Sequence, residues 1–114
     1  MCVAEVAALP FVSAPEGAIV ELRREAVDAV ARQRRLSEEA ATARAQAAEV
    51  EDEARRAFAR GEDRLARQIL ARGLCTLETR DRLEHDLAES RRAVVRLLGT
   101  IVRTENRAWR AGRF

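Results

Sequence analysis

Apolar residues recur at alternating steps of three and four along the first half of the chain. The run continues without a slip through twelve positions: Ile19, Leu22, Ala26, Ala29, Gln33, Leu36, Ala40, Ala43, Ala47, Val50, Ala54 and Ala57. Eleven of the twelve are apolar, and Gln33 is the exception. Because a helix places such positions on one face, the pattern predicts a long helix over about residues 18–60 with a coiled-coil seam.

The pattern stops at Gly61, which is followed by Glu62 and Asp63. Glycine commonly ends a helix, and acidic residues favour the positive end of a new helix. We therefore predict a turn near 61–62 and a second helix over about 63–109. The predicted hairpin tip comprises Arg60, Gly61, Glu62, Asp63 and Leu65.

In an antiparallel register, the second helix supplies apolar partners for much of the first. The predicted pairs are Ala57 with Ala66, Ala54 with Leu70, Ala47 with Leu77, Leu36 with Leu87, Ala29 with Val94, Ala26 with Leu98 and Leu22 with Ile101. The predicted fold class is therefore all-α, a long antiparallel two-helix coiled-coil hairpin. Gly73 and Gly99 lie within the second helix. Each costs about 1 kcal/mol relative to alanine, and neither is expected to end the helix.

Three layers of this register pair a seam residue of the first helix with a charged residue. Gln33 faces Arg91, Ala40 faces Glu84 and Ala43 faces Arg80. One interpretation is that these long side chains bend away from the seam towards water. The other is that a second molecule completes the layers.

The ends of the chain differ from the hairpin. Pro10 and Pro15 predict a non-helical or flexible leader over residues 1–17, and residues 111–114 are expected to form a tail. The apolar stretch over residues 1–12 is too short to cross a bilayer.

Several apolar residues lie beside the predicted seam, and a two-helix hairpin cannot bury them all. They include Val20, Val27, Phe58, Leu74, Leu83 and Leu97, which we take as a partner or assembly surface, and also Val95 and Val102. We expect them to be covered by another copy of the chain in a homo-oligomer, by another helical protein, or by a membrane surface.

Composition narrows the function classes. All 21 basic residues are arginine, 19 residues are acidic, 23 are alanine, and aromatic residues make up only 4%. This balance is typical of long helices and argues against a sheet or a pocketed enzyme core. The single histidine, His85, lies among charged residues, and the spacing of Cys2 and Cys75 fits no metal or redox motif. We expect no enzyme activity, no cofactor and no metal.

The charge is unevenly distributed: residues 1–60 have two more acids than arginines, and residues 61–114 have four more arginines than acids. The C-terminal segment combines aromatic and basic residues, among which Arg103, Arg107, Trp109, Arg110 and Arg113 are candidate contacts for lipid or phosphate. Anionic lipid headgroups suit this combination. A frayed helix end, or Trp109 packing on Ala18 and Ile19, is an alternative. Nucleic acid is a third and less favoured partner, because the rest of the second helix is charge-balanced.

The tip carries a family resemblance. The segment Gly61-Glu62-Asp63-Arg64-Leu65-Ala66-Arg67-Gln68-Ile69-Leu70 resembles the hairpin turn of the phage shock protein A (PspA) family, which includes the vesicle-inducing protein in plastids and belongs to the ESCRT-III superfamily. Upstream, Ala31-Arg32-Gln33-Arg34-Arg35-Leu36 is similar to another stretch of that family. The resemblance covers about residues 17–106.

This resemblance implies a hairpin that assembles on the cytoplasmic face of a membrane in envelope stress and membrane maintenance, and that in some members restrains an AAA+ transcriptional activator. The family's usual N-terminal amphipathic helix and further C-terminal helices have no counterpart here, so the chain is expected to be a hairpin-only member. We expect a cytoplasmic protein, peripheral on the inner face of the cytoplasmic membrane. The alternative is a coiled-coil adaptor that never meets lipid.

Overall fold

A computed structural model describes the backbone of residues 3–112 and the side chains of residues 17–112. It contains three helices: α1 (Val3–Ala59), α2 (Asp63–Arg72) and α3 (Leu74–Arg110). The backbone described contains no strand. The predicted all-α helical hairpin is confirmed, with α2 and α3 together forming the returning arm.

The first helix starts earlier than the sequence predicted. The expectation of a non-helical leader over residues 1–17 is wrong from Val3 onward, because these residues belong to α1. A proline lacks a backbone N–H and so removes one hydrogen bond of the helix. The alanines and Leu9 around Pro10 and Pro15 are good helix formers, which favours continuation of the helix through both.

The predicted seam of α1 is confirmed. Each of its twelve positions is buried or half-buried, and none is exposed. Most of the buried positions are alanines, and Ala40, Ala47 and Ala57 have no accessible surface. Alanine at these positions lets the facing helix approach closely, because a methyl group is all that separates the two backbones.

On the returning arm, every second position of the seam lies one residue earlier in the chain than predicted. Buried or half-buried residues advance by alternating steps of three and four: Ala66, Ile69, Gly73, Thr76, Arg80, Leu83, Leu87, Ser90, Val94, Leu97, Ile101, Thr104 and Ala108. Assignment of Leu98, Glu84 and Arg91 to the seam is wrong, since all three are exposed. Both choices fit a seven-residue repeat, but burial follows a step of three, not four, after Val94.

This displacement removes Glu84 and Arg91 from two of the three polar layers, whereas Arg80 stays on the seam. Glu84 lies beside the seam, where its Oε1 accepts a hydrogen bond from Arg44 Nη1 at 2.8 Å. Arg80 is half-buried on the seam, and its guanidinium donates to Glu51 at 3.3 Å and to Asp81 at 2.8 Å. Ala40 and Ala43 are buried. Glu84 and Arg91 therefore lie outside the seam, as the first interpretation expected, whereas Arg80 stays on the seam and is paired with Glu51.

Gly73 separates α2 from α3, so the expectation of one unbroken second helix is wrong. A Cβ at this position would lie 2.5 Å from Val50 Cγ1 and 2.9 Å from Cγ2. The backbone ladder nevertheless continues, because Gly73 N–H donates to Ile69 O at 2.9 Å and Leu77 N–H donates to Gly73 O at 3.1 Å. The break is a local adjustment at a seam position that has room only for glycine. Gly99, by contrast, lies inside α3.

The chain divides into two compact units. The tip unit contains residues 32–90, and the terminal unit contains residues 1–31 and 91–114. A buried apolar cluster of Ala54, Ala57, Ala66 and Ile69 lies in the tip unit. In the described part of the terminal unit, residues 17–31 and 91–112, the buried residues are Ile19, Ala26, Ala29, Val94, Ile101 and Ala108.

Candidate functional site

The hairpin tip is a helix end closed by glycine. Gly61 has a φ of +79°, a conformation that side chains disfavour and glycine adopts freely. Its N–H donates to Phe58 O at 2.9 Å, and the Glu62 N–H donates to Ala57 O at 2.9 Å. These two bonds form a Schellman motif, which satisfies carbonyls that the end of α1 would otherwise leave unpaired.

The remaining tip residues start the returning arm. Glu62 is the N-cap residue of α2, and its carbonyl accepts the Ala66 N–H at 2.9 Å. Its carboxylate pairs with the Arg60 guanidinium, while Asp63 lies in the first turn of α2. Leu65 is half-buried against the apolar cluster of the tip unit. The five predicted tip residues therefore form one local structure.

The six residues predicted as an assembly surface separate into two groups. Val20, Val27, Phe58 and Leu74 are exposed, as a surface for another molecule requires. Leu83 and Leu97 are half-buried positions of the displaced seam and contribute to packing within the chain.

The C-terminal end of α3 presents its aromatic and basic residues outward. Trp109 is 69% exposed, whereas its neighbour Ala108 is buried. The alternative in which Trp109 packs on Ala18 and Ile19 is therefore not adopted. Trp109 instead lies beside the ion pair between Arg23 and Glu105. Arg103, Arg107 and Arg110 are exposed, and Arg113 lies outside the described residues.

One exposed apolar residue was missed by sequence reasoning. Leu98 is 48% exposed and lies three residues after Val95 and four before Val102, which are also exposed. Its spacing to Trp109 completes a stripe along the outer face of α3. The signal was present in the sequence but was hidden by the assignment of Leu98 to the seam.

The guanidinium of Arg80 is held by two carboxylates. Hydrogen bonds to Asp81 and then Glu51 raise the pKa of Arg80, which keeps its guanidinium charged. His85 and Cys75 are both exposed. Among the residues described, no cluster of three or more His, Cys, Asp or Glu side chains is placed to hold a metal ion.

No helix in the described part of the chain combines the length and the apolar content that crossing a bilayer requires.

Comparison with known proteins identifies the hairpin. A model of the PspA/IM30 family matches residues 15–110, which is 96 of the 114 residues. The chain has no match among the curated proteins or the solved structures with which it was compared. The matching family is a non-enzymatic family of membrane maintenance whose members typically oligomerise and contact membranes. On this match over the hairpin, the chain belongs to the PspA/IM30 family.

Proposed function

We propose that this protein is a non-enzymatic coiled-coil assembly protein that works at the cytoplasmic face of a membrane in envelope stress and membrane maintenance. The observation that carries the proposal is the family match, which extends over both arms of the hairpin. Membership of this family supports a membrane-associated role. From it we infer the response to envelope stress, the location at the cytoplasmic face and the assembly.

The exposed apolar residues support assembly. Phe58 and Leu74 are about half exposed in the tip unit, and Val20 and Val27 are exposed in the terminal unit. Exposed apolar side chains of this size are costly in water when they cluster. We infer that copies of the chain, or another helical protein, cover some of them.

The test combines oligomer size with membrane binding. We expect the chain to form oligomers larger than a dimer in light scattering at tens of micromolar, and to pellet with vesicles of equal parts phosphatidylglycerol and phosphatidylcholine. The variant Phe58→Ser with Leu74→Ser should shift the size distribution towards smaller species. The control is Ala41→Ser with Ala48→Ser, which alters two exposed alanines of α1 and should leave assembly unchanged.

Two results would decide against the proposal. A clean monomer at these concentrations contradicts assembly. A discrete dimer or tetramer that never pellets with vesicles favours the coiled-coil adaptor, since that alternative involves no lipid. None of the surfaces of the described residues supports the restraint of an AAA+ activator in particular.

A further inference from the structure

The outer face of α3 carries a stripe of exposed apolar residues at its C-terminal end. Val95, Leu98, Val102 and Trp109 are 68%, 48%, 54% and 69% exposed. They are spaced at i, i+3, i+7 and i+14, which places them on one side of a helix. Four large apolar residues on one line, all open to solvent, are more than the isolated surface leucine or valine found on most proteins.

A line of arginines runs beside this stripe. Arg92, Arg96, Arg103, Arg107 and Arg110 are all exposed and are spaced at i, i+4, i+11, i+15 and i+18. These positions also share one side of the helix, adjacent to the apolar stripe. Arg91, Arg92 and Arg96 surround Val95. The apolar stripe and the line of arginines therefore lie side by side on the exposed surface of α3.

This stretch has almost no compensating negative charge. Residues 91–110 contain six arginines and one acid, Glu105, which is paired with Arg23. The preceding part of the same helix, residues 74–90, contains five acids and two arginines. The formal charge thus changes from −3 to +5 along one helix. Such a reversal is specific to this segment and is not a general consequence of the arginine-rich composition.

The third face of the same segment is buried within the chain. Val94, Ile101 and Ala108 are buried in the terminal unit. The helix is therefore held in place by its own hairpin, and its apolar and basic faces are presented without any need to fold on binding. A preformed surface avoids the ordering cost that a disordered segment would incur.

We propose that residues 91–110 of α3 form a lipid-binding face that lies flat on an anionic bilayer surface. Val95, Leu98, Val102 and Trp109 enter the boundary between headgroups and acyl chains, and the arginine line contacts headgroup phosphates. A helix with an apolar stripe, a basic flank and a tryptophan matches the requirements of interfacial binding. The proposal rests on the proposed membrane role and names the segment and the lipid charge that would serve it.

Charge complementarity favours lipid over a protein or nucleic acid partner. A partner helix would cover the apolar stripe but would also have to supply a row of acids opposite five arginines. Nucleic acid would neutralise the arginines but would leave three aliphatic side chains against phosphates. An anionic bilayer satisfies both features, since it offers negative headgroups next to an apolar interior.

The chain contains its own probe for this contact. Trp109 is the only tryptophan, and there is no tyrosine, so intrinsic fluorescence reports the proposed face directly. We expect a blue shift of emission when the full chain meets vesicles of equal parts phosphatidylglycerol and phosphatidylcholine, and quenching by brominated acyl chains. Phosphatidylcholine vesicles alone should give neither signal. High salt should reverse the shift, because arginine attraction to the surface is screened.

Two sets of variants separate charge from apolar contact. Arg96→Gln, Arg103→Gln and Arg107→Gln together should weaken vesicle partitioning about 100-fold, since each arginine near an anionic surface contributes about fivefold. Arg34→Gln, Arg56→Gln and Arg67→Gln are the matched control, because they remove the same charge from exposed positions of the tip unit. Val102→Ser should weaken partitioning about tenfold while retaining the tryptophan. Circular dichroism checks that all variants stay helical.

The outcomes are distinct. Pelleting with vesicles without a blue shift, or equal losses in the two arginine sets, leaves the membrane role standing and overturns the α3 face. A blue shift that grows with protein concentration in the absence of vesicles shows that the face is a contact between proteins, which also overturns it. Absence of any vesicle binding overturns this inference and the proposed function together.

Discussion

The two units of the chain bury residues of different size along the seam. In the tip unit six of the eight buried apolar residues are alanine. Among the side chains of the terminal unit that the structure describes, three of the six buried ones are alanine and the others are Ile19, Val94 and Ile101. The tip unit also exposes fewer large apolar residues than the terminal unit does. Of the eight large apolar residues that are exposed in the described chain, only Phe58 and Leu74 belong to the tip unit. The tip unit uses small residues and leaves few large ones outside.

Charge repeats this contrast. Residues 32–90 contain twelve arginines and thirteen acids, and two pairs, Arg44 with Glu84 and Arg80 with Glu51, join α1 to α3. Residues 91–110 contain six arginines against a single acid. Exposed ion pairs add little stability, so their value here is neutralisation. The tip unit is close to neutral, while residues 91–110 of the terminal unit carry an excess of five positive charges.

The largest difference in unfolding free energy should be between two leucines that the sequence pattern assigns to the seam but that differ in burial. Leu87, in the tip unit, is 2% exposed, and Leu98, in the terminal unit, is half exposed. We expect Leu87→Ala to lower the free energy of unfolding by about 2–5 kcal/mol, and Leu98→Ala to lower it by about 1 kcal/mol or less. Urea denaturation followed by circular dichroism measures both.

Equal losses would show that Leu98 is buried in solution, which would contradict the displaced seam. A change in the slope of the denaturation curve would show that compactness changed as well. In that case the midpoints alone would not be compared.

The close approach at Gly73 provides the second test of tight packing in the tip unit. Gly73→Ala places a methyl group against Val50, whose branched side chain has one strongly preferred rotamer in a helix. We expect a loss of about 1–2 kcal/mol from overpacking. Gly99→Ala is the control in the terminal unit, because only the flexible end of Arg103 lies near, at 3.3 Å. That change should stabilise the helix by up to about 1 kcal/mol.

A double-mutant cycle with Val50→Ala identifies the cause of the Gly73 effect. If the methyl clash is responsible, Gly73→Ala should cost little in the Val50→Ala background. An undiminished cost in that background would mean that the backbone at Gly73, rather than the space beside it, requires glycine.

The turn at Gly61 should show a smaller effect. A non-glycine residue at positive φ costs roughly 1–2 kcal/mol, so Gly61→Ala should lower stability by about 1 kcal/mol. Gly61→Asn should lose less, because asparagine tolerates this conformation. Thermal unfolding of the three chains gives the order. A stabilising Gly61→Ala would mean that the turn relaxes to a different geometry in solution.

The sequence was sufficient for the parts of the fold that repeat. Steps of three and four residues located all twelve seam positions of α1, and Gly61 with its flanking charges located the tip. The break at Gly73 was not predictable in this way, because it depends on a contact with Val50, 23 residues earlier in the chain. The start of α1 was missed because prolines are strong local signals, and the sequence alone does not show whether the surrounding residues outweigh them.

The displaced seam explains what remained hidden of the candidate site. On the returning arm, a step of three and a step of four after Val94 reach Leu97 and Leu98, which are equally apolar. Sequence alone gives no preference between them, and packing against α1 selects Leu97. The choice decides whether Leu98 is core or surface. Only with Leu98 outside do Val95, Leu98 and Val102 form an exposed apolar row along the helix that bears Trp109.

The smallest effects on stability should come from removing single exposed ion pairs. For these variants we expect the two units to differ in vesicle binding rather than in stability. Arg44→Gln removes the pair with Glu84 in the tip unit, and Glu105→Gln removes the pair with Arg23 in the terminal unit. Each should change the unfolding free energy by less than about 1 kcal/mol. Glu105→Gln also removes the only acid of residues 91–110, so binding to phosphatidylglycerol vesicles should rise about fivefold. Arg44→Gln should leave binding close to that of the unaltered chain. A fall in binding with Arg44→Gln as large as the rise with Glu105→Gln would mean that lipid attraction follows net charge rather than the basic face of α3.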